Sequence, residues 1–473
     1  PLLDALRTED NDLPSYYFYD SNGKLVLPLG LDSRLTLDGY LSQDDLRVDL
    51  DEGFFFDQRW SNRTASAEWQ YDFSPTLTGT VKGFFSRYRS STSAEFFSTP
   101  ASFGNELRDA SALATMDWRL GADHAFKTGL QFSDYDFSFL SSFNQQTSIE
   151  YAASPYDISW FVEDDWTPGD RINIQEGIRL RYFSEGQRWL FEPRLSVSVP
   201  ASDTVTLQLG SGLYNQYVQL VSTEGFSGSD FYLPLDETVK PGFAWQNVLG
   251  ARWDPTAEWR FSVEGYASDL RNLVLLETDS SADESDTSSD TVFRSGGTGY
   301  AAGVELFAEK RTGMLRGWVG YTLGWTRRTF DDVNGGREFP PKYDRRHDLK
   351  AVGLVSRGKW KYSTSFVLAS GQAFTTATAR YGVRDPSTGM FEELVLPGDR
   401  NGARLAPYHR LDVSATRSFS LFGRDAEWVF QVFNLYGRRN EWFVQYDITD
   451  GEFDVEVVRQ LPMIPTAGIN FTF

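Results

Sequence analysis

The chain has no cysteine, three histidines and four methionines in 473 residues. Without cysteine there are no disulfides, thiol nucleophiles, Cys-based zinc sites or covalently attached c-type haem. His124, His347 and His409 stand far apart with no ligand-like spacing, which argues against a histidine metal cluster or a His-based triad. Neither a cofactor nor a metal is expected. No apolar run approaches the roughly 18 residues a membrane-spanning helix needs, so helical membrane proteins are excluded. Basic charge is also short: 45 Lys and Arg face 66 Asp and Glu, for a net charge of -21. Nucleic acid needs concentrated cations and is not an expected partner. The Ser-rich stretches lack a Gly-x-Ser-x-Gly elbow, and no histidine stands beside them at a recognisable spacing, so the chain does not read as an enzyme. Pro1 opens without Met or a charged leader region, which reads as a processed form or a fragment.

Aromatics and glycine are abundant: 37 Phe, 22 Tyr and 14 Trp make 15 % of the chain, alongside 40 Gly. Such a composition favours sheet over helix, and a 40 % hydrophobic content is too high for a disordered chain. The apolar pattern has period two nearly throughout. Leu35, Leu37, Gly39 and Leu41 alternate with Thr36, Asp38, Tyr40 and Ser42. The same holds for Val205-Leu207-Leu209, for Trp259-Phe261-Val263 and for Leu411-Val413-Ala415 against their polar neighbours. Each strand therefore has one apolar and one polar face.

Connections between these strands are of two alternating kinds. Short ones carry turn chemistry, such as Ser74-Pro75-Thr76, Pro168-Gly169-Asp170, Thr312-Gly313 and Gly423-Arg424-Asp425. Long ones, rich in Ser, Gly, Asp or Thr, run over residues 219–240, 279–291, 330–343 and about 375–404. The segmentation gives about nineteen strands, many longer than the 9 to 11 residues that cross a bilayer at a tilt. Trp69, Trp118, Trp166, Trp253, Trp259, Trp318, Trp360 and Trp428 lie close to short turns, where an interfacial aromatic girdle would sit. A soluble propeller would repeat a blade motif, and none recurs. The expected fold is all-β: a transmembrane antiparallel up-and-down β-barrel with short periplasmic turns and long extracellular loops.

The last strand ends on Ile469, Phe471 and Phe473, alternating with Asn470 and Thr472. This resembles the carboxy-terminal signature of bacterial outer-membrane barrels, in which the terminus is periplasmic. Counting back puts the first strand, about 17–27, on a downward course from outside. Single-chain bacterial barrels have even strand numbers, and an edge left open in lipid strands its backbone groups. An odd number of strands is therefore expected before Pro1 or from another chain.

Several stretches resemble TonB-dependent outer-membrane receptors: Ser15-Tyr-Tyr-Phe-Tyr-Asp-Ser-Asn-Gly-Lys-Leu25, Phe191-Glu-Pro-Arg-Leu195, Pro340-Pro-Lys-Tyr-Asp-Arg-Arg-His-Asp-Leu349, Ser370-Gly-Gln372, Tyr408-His-Arg-Leu-Asp412, Phe433-Asn-Leu-Tyr-Gly-Arg-Arg-Asn440 and Gly468-Ile-Asn-Phe-Thr-Phe473. The resemblance implies a 22-stranded barrel closed by an amino-terminal plug domain. Residues 1–473 would then be an incomplete transmembrane barrel holding about strands 4 to 22, with the plug and the first three strands elsewhere. It further implies import of a scarce solute (a metal chelate, cobalamin, an oligosaccharide or a peptide) powered through a TonB-type energy-coupling protein. A passive porin-type channel and a barrel that only anchors partners, such as a surface lipoprotein, are the alternatives.

Within that layout Tyr214, Tyr217, Phe226, Phe231 and Tyr232 are the candidates for ligand contact, since Tyr joins apolar area to a polar tip. Glu192, Arg194, Glu264, Glu305 and Asp412 are expected on the polar lumen wall, with Lys82 and Lys127. The cluster Lys342, Asp344, Arg345, Arg346, His347 and Asp348 reads as a self-neutralising ion patch, or as a contact for an anionic ligand or for lipopolysaccharide phosphates in the surrounding outer-membrane lipid. Residues 279–290, DSSADESDTSSD, lack EF-hand spacing and read as a solvated acidic tip.

Overall fold

A computed structural model describes residues 15–50, 54–96, 99–144, 146–169, 171–221, 231–276, 293–384, 391–449 and 452–471. Among them, one antiparallel sheet of 20 strands accounts for most of the chain. Gln146–Ala153 and Tyr156–Trp166 both pair with His124–Phe143 and act as two halves of one crossing. The division falls at Ser154-Pro155, where proline has no N–H to give the ladder. Counting that pair once leaves nineteen crossings, each paired with its sequence neighbour, as the turn and loop spacing predicts.

The register gives the sheet two unlike faces. Leu37, Trp69, Val81, Leu130, Trp160, Val263 and Ile469 are exposed on one face. The alternating residues Asp38, Glu68, Lys82, Gln131, Ser159 and Glu264 occupy the other. An exposed apolar face of this extent is stable only against hydrocarbon or another apolar surface. Of the eight tryptophans near short turns, Trp318 departs from the girdle. Its register partner is Glu309, so it lies on the polar face and packs on Phe307 at 5.9 Å.

The polar face is concave. The connection between Val205–Gln216 and Gly242–Thr256 forms a small hairpin, Val218–Val221 with Phe231–Pro234. Its return arm buries Leu233, Leu235 and Val239 against Phe139, with Phe103 and Tyr151 alongside. Phe139 belongs to His124–Phe143, four pairings away along the sheet from the strand that launches the hairpin. Only a sheet curled about its polar face lets one loop touch both. A second fold-back puts Phe330, Val333 and Phe339 on Leu275. The Phe330 ring fills the space above Gly297, where a Cβ would stand 2.2 Å from ring carbon.

The long connections are more structured than their composition suggests. Ala377–Arg384 pairs with Phe391–Pro397, and Glu441–Thr449 with Glu452–Arg459. The acidic run 279–290 lies outside the described residues. Among the described residues, Ser15–Pro28 pairs only with Ser33–Leu50, and Ile464–Phe471 only with Arg424–Phe433.

Candidate functional site

On the concave face a ladder of polar and aromatic side chains descends from the long-loop rim. Asn173–Phe183 alternates, so Phe183, Arg181, Arg179, Gly177 and Gln175 all face inward. Their register partners are Asp157, Ser159, Phe161, Glu163 and Asp165 on one side, and Arg188, Leu190, Glu192, Arg194 and Ser196 on the other. At the top, Phe183 packs at a tilt against Tyr217, ring centroids 4.2 Å apart, and the Arg181 guanidinium lies 5.0 Å from the same ring. Asp157, 1 % exposed, sits 3.0 Å from Arg181 Nε. That pair is close enough for an ion pair but is not aligned as a hydrogen bond. Burial pushes the Tyr217 phenol well above its usual range, only partly offset by Arg181.

One and two rungs lower, Glu192 is buried; its Oε1 accepts the Asn215 N–H at 3.2 Å and its Oε2 lies 3.4 Å from Arg194 Nη2. Arg194 stacks over Tyr214 at 4.9 Å and Arg179 over Phe161 at 5.1 Å. Phe161, Arg179, Glu192, Arg194 and Tyr214, with Lys127, Glu163 and Gln246, line a cavity of about 480 Å³. Gly210 and Gly212 open it by placing no side chain opposite Ser196 and Arg194. No carboxylate stands within ion-pair distance of Arg179 among the described residues. The site therefore offers a cationic group, a buried carboxylate and two tyrosine rings in a half-sheltered space, a set suited to a polar, partly aromatic or anionic solute.

Of the residues picked from sequence, Tyr214, Tyr217, Glu192 and Arg194 converge on this ladder. Tyr232 is in the hairpin above it, exposed and opposite Leu220. Phe231 enters only through its backbone pairing with Val221. Phe226 lies outside the described residues, as does Phe473. Glu264 and Glu305 are inward but elsewhere, directly opposite each other on neighbouring strands. Asp412 faces inward too, pairing with Arg410 at 3.0 Å and accepting the Asn434 N–H at 2.8 Å. Ile469 and Phe471 lie opposite Trp428 and Ala426 on the final strand pair. Sequence reading missed Arg179, Arg181 and Asp157; for the two arginines a signal was available, since Arg179-Leu180-Arg181 has the same period-two alternation as Glu192-Pro193-Arg194.

The cluster at 342–348 finds its partners outside itself rather than among its own charges. Asp344, 3 % exposed, is held by Arg327 at 3.2 Å and by Arg404, and accepts the Thr326 N–H at 2.8 Å. Arg346 stacks over Trp325, Arg345 lies over Tyr408, and Asp348 pairs with Lys350. Its neighbour Gly371 is irreplaceable sterically, because a Cβ there would stand 1.6 Å from the Leu405 carbonyl oxygen. The next motif is equally structural. Asn434 donates to the Arg438 and Leu461 carbonyls, and Asn440 donates to the His409 carbonyl.

A wide, curled antiparallel sheet with an apolar convex face, a polar interior and long loops folding inward defines a large membrane β-barrel of the receptor kind. The sequence matches the family described as TonB dependent receptor-like, beta-barrel, over residues 3–435, and the chain belongs to that family of outer-membrane receptors. Among solved structures it is similar to the ferripyoverdine receptor of the outer membrane of Pseudomonas aeruginosa bound to ferripyoverdine, at 13 % identity and a TM-score of 0.65, over 97 % of this chain and 65 % of that one. It is also similar to the ferric yersiniabactin uptake receptor FyuA from Yersinia pestis, at 12 % identity and a TM-score of 0.63, over 96 % and 78 %. The copper transporter OprC matches at 12 % identity and a TM-score of 0.68, over 97 % and 74 %. The chain spans about two thirds of the length of the FpvA structures it matches, 66 % in the complex of FpvAI with pyocin S2 and 65 % in FpvA with a bound pyoverdine. No curated protein matches the sequence.

Proposed function

We propose that the chain is the greater part of the barrel of an energy-coupled outer-membrane importer. In this reading the long loops face the exterior, the short turns and the carboxy terminus face the periplasm, and a plug domain with three further strands completes the molecule. A TonB-type protein drives uptake through the plug. The solute enters beneath the hairpin formed by Val218–Val221 and Phe231–Pro234 and meets Tyr217, Tyr214, Arg194 and Arg179 on the way down, with Tyr232 as an outer contact. Glu264, Glu305 and Asp412 form part of the remaining water-facing wall.

The observation that carries this reading is the inward-docked hairpin above a polar cavity. A general diffusion pore gains nothing from burying Leu233, Leu235 and Val239 across its mouth, whereas a receptor needs an ordered external site. Solved neighbours named for ferric chelates and copper support a metal complex as the solute, and Arg179, which makes no close ion pair among the described residues, favours one with anionic groups.

The test is accumulation of radiolabelled ferric chelates by cells carrying the whole gene, with and without the energy-coupling protein. Energy-dependent uptake, weakened by Arg179→Ala mainly through apparent affinity, is expected. Uptake that persists without the coupling protein, or large steady conductance of the intact protein in planar bilayers, would instead indicate a passive channel.

A further inference from the structure

One charge of the cluster at 342–348 is left over. Asp344, Arg345, Arg346 and Asp348 each find a partner, whereas the Lys342 ammonium group makes no ion pair or hydrogen bond among the described residues. Lys342 lines a cavity of about 260 Å³ between two loop hairpins, Ala377–Arg384 with Phe391–Pro397 and Glu441–Thr449 with Glu452–Arg459. This cavity shares no residue with the one along the ladder.

Two further observations mark it as a built site. Asn401 lines the same space at 6 % exposure, and its side-chain Oδ1 has no hydrogen-bond partner among the described residues. A buried acceptor without a donor is costly, yet the turn that carries it is firmly held. The Asn334 side chain accepts the Arg400 N–H at 2.7 Å and donates to the Arg400 carbonyl at 3.1 Å. Arg337 grips Asp399 at 2.8 and 2.9 Å, and the Asn401 N–H donates to Thr375 Oγ1 at 3.0 Å. The second observation concerns the backbone. Successive strand residues point to opposite faces, but a register shift between Glu441 and Phe443 lets Trp442 and Phe443 both line the cavity, with ring centroids 5.3 Å apart. Another shift, between Ala377 and Ala379, stands where the first hairpin meets the same space. Bulges of this kind re-aim side chains and gather beside functional sites.

The lining narrows the ligand. Lys342 is the one charged residue on it, so the walls suit a single negative charge. Asn401 Oδ1 asks for an O–H or N–H donor. Phe374, Trp442 and Phe443 offer aromatic surface to a flat ring, and the volume lies just under the range of drug-sized pockets. We propose that the cavity binds a small aromatic monocarboxylate bearing a hydroxyl group, with its carboxylate on Lys342 and its hydroxyl donating to Asn401. Such a ligand touches both hairpins and ties them together. The site depends on neither a plug nor energy coupling, so it stands or falls separately from solute import.

The test uses the whole protein purified from outer membranes in detergent, with 3-hydroxybenzoate, 4-hydroxybenzoate, benzoate and 4-hydroxybenzyl alcohol as probes followed by ligand-observed NMR. Saturable binding of a hydroxybenzoate is expected, weakened about tenfold or more in K342Q and largely retained in K342R. Hydrogen exchange should slow at 373–377, 395–405 and 441–446 when it binds. The N401G variant suits the left-handed backbone at this position, φ 53°, and should erase the advantage of the hydroxybenzoate over benzoate. Absence of saturable binding by either hydroxybenzoate, equal binding of the alcohol, or an unchanged affinity in K342Q would overturn the assignment. A loss in Arg179→Ala would also overturn it, by moving the ligand to the ladder. Should K342Q fail to fold, judged by heat-dependent gel mobility, N401G decides alone: a lost hydroxyl preference supports the site and an intact one rejects it.

Discussion

At the scale of single residues, the deepest commitments are charges that cannot be left alone. Asp344 neutralises Arg327 and Arg404 in a nearly closed setting. Removing one member of such a group leaves the others buried without a counter-ion, which costs about 3 to 5 kcal/mol. Because Arg404 is about one third exposed, the lower end is expected for Asp344→Ala, measured as a fall in the melting temperature of the detergent-solubilised protein. Glu185, in the turn between Asn173–Phe183 and Arg188–Pro200, gives a pH dependence. Burial raises its pKa above the ordinary carboxylate value, and the nearby Asp236 raises it further. The folded state therefore holds the proton more tightly than the unfolded one, and this contribution is present at low pH and lost as pH rises from the ordinary carboxylate range through the raised value. Hydrogen exchange at residues 184–187 and 235–238 should quicken over that window beyond its intrinsic pH dependence, and Glu185→Gln should remove the excess.

At the scale of elements, the hairpin at 218–234 is held by few contacts of high value. Leu233, Leu235 and Val239 are each 1 % exposed against Phe139, and Gln187 adds a hydrogen bond to Glu237 at 2.6 Å. Leu233→Ala should cost about 2 to 5 kcal/mol of docking free energy, detected as faster exchange across 231–240 with the barrel strands unchanged. The strands themselves were legible, because a wall with lipid on one side and water on the other writes its alternation into every second residue. The inward placement of Glu192 and Arg194 was legible for the same reason. What escaped was everything set by contacts between distant segments. The docking of Leu233 on Phe139 joins residues 94 positions apart, and nothing local marks it. Trp318 looked like its girdle neighbours because proximity to a turn does not reveal which face a side chain takes. The motifs at 340–349 and 433–440 could be read as a resemblance, but their role as ion and amide knots needed Arg404 and Leu461 in place.

At the scale of the whole molecule, the unresolved balance lies at the sheet's two edges. Ser15–Pro28 and Ile464–Phe471 each pair on one side only among the described residues, and unpaired backbone groups in hydrocarbon cost several kcal/mol each. The two strands run in the same direction, because both descend towards the short-turn rim and nineteen is odd. Joining them directly would create one parallel pair in a sheet otherwise antiparallel throughout, whereas three intervening strands give 22 and keep every pair antiparallel. Since the chain has no cysteine, introduced thiols report on this cleanly. Ser21→Cys combined with Leu41→Cys, a register pair, should cross-link on mild oxidation of the protein in its native membrane. Ser21→Cys combined in turn with Pro465→Cys, Ala467→Cys or Ile469→Cys should not. Cross-linking in that second set would mean that the edges meet each other, closing a nineteen-stranded barrel narrower than the 22-stranded one proposed and leaving less room for a plug.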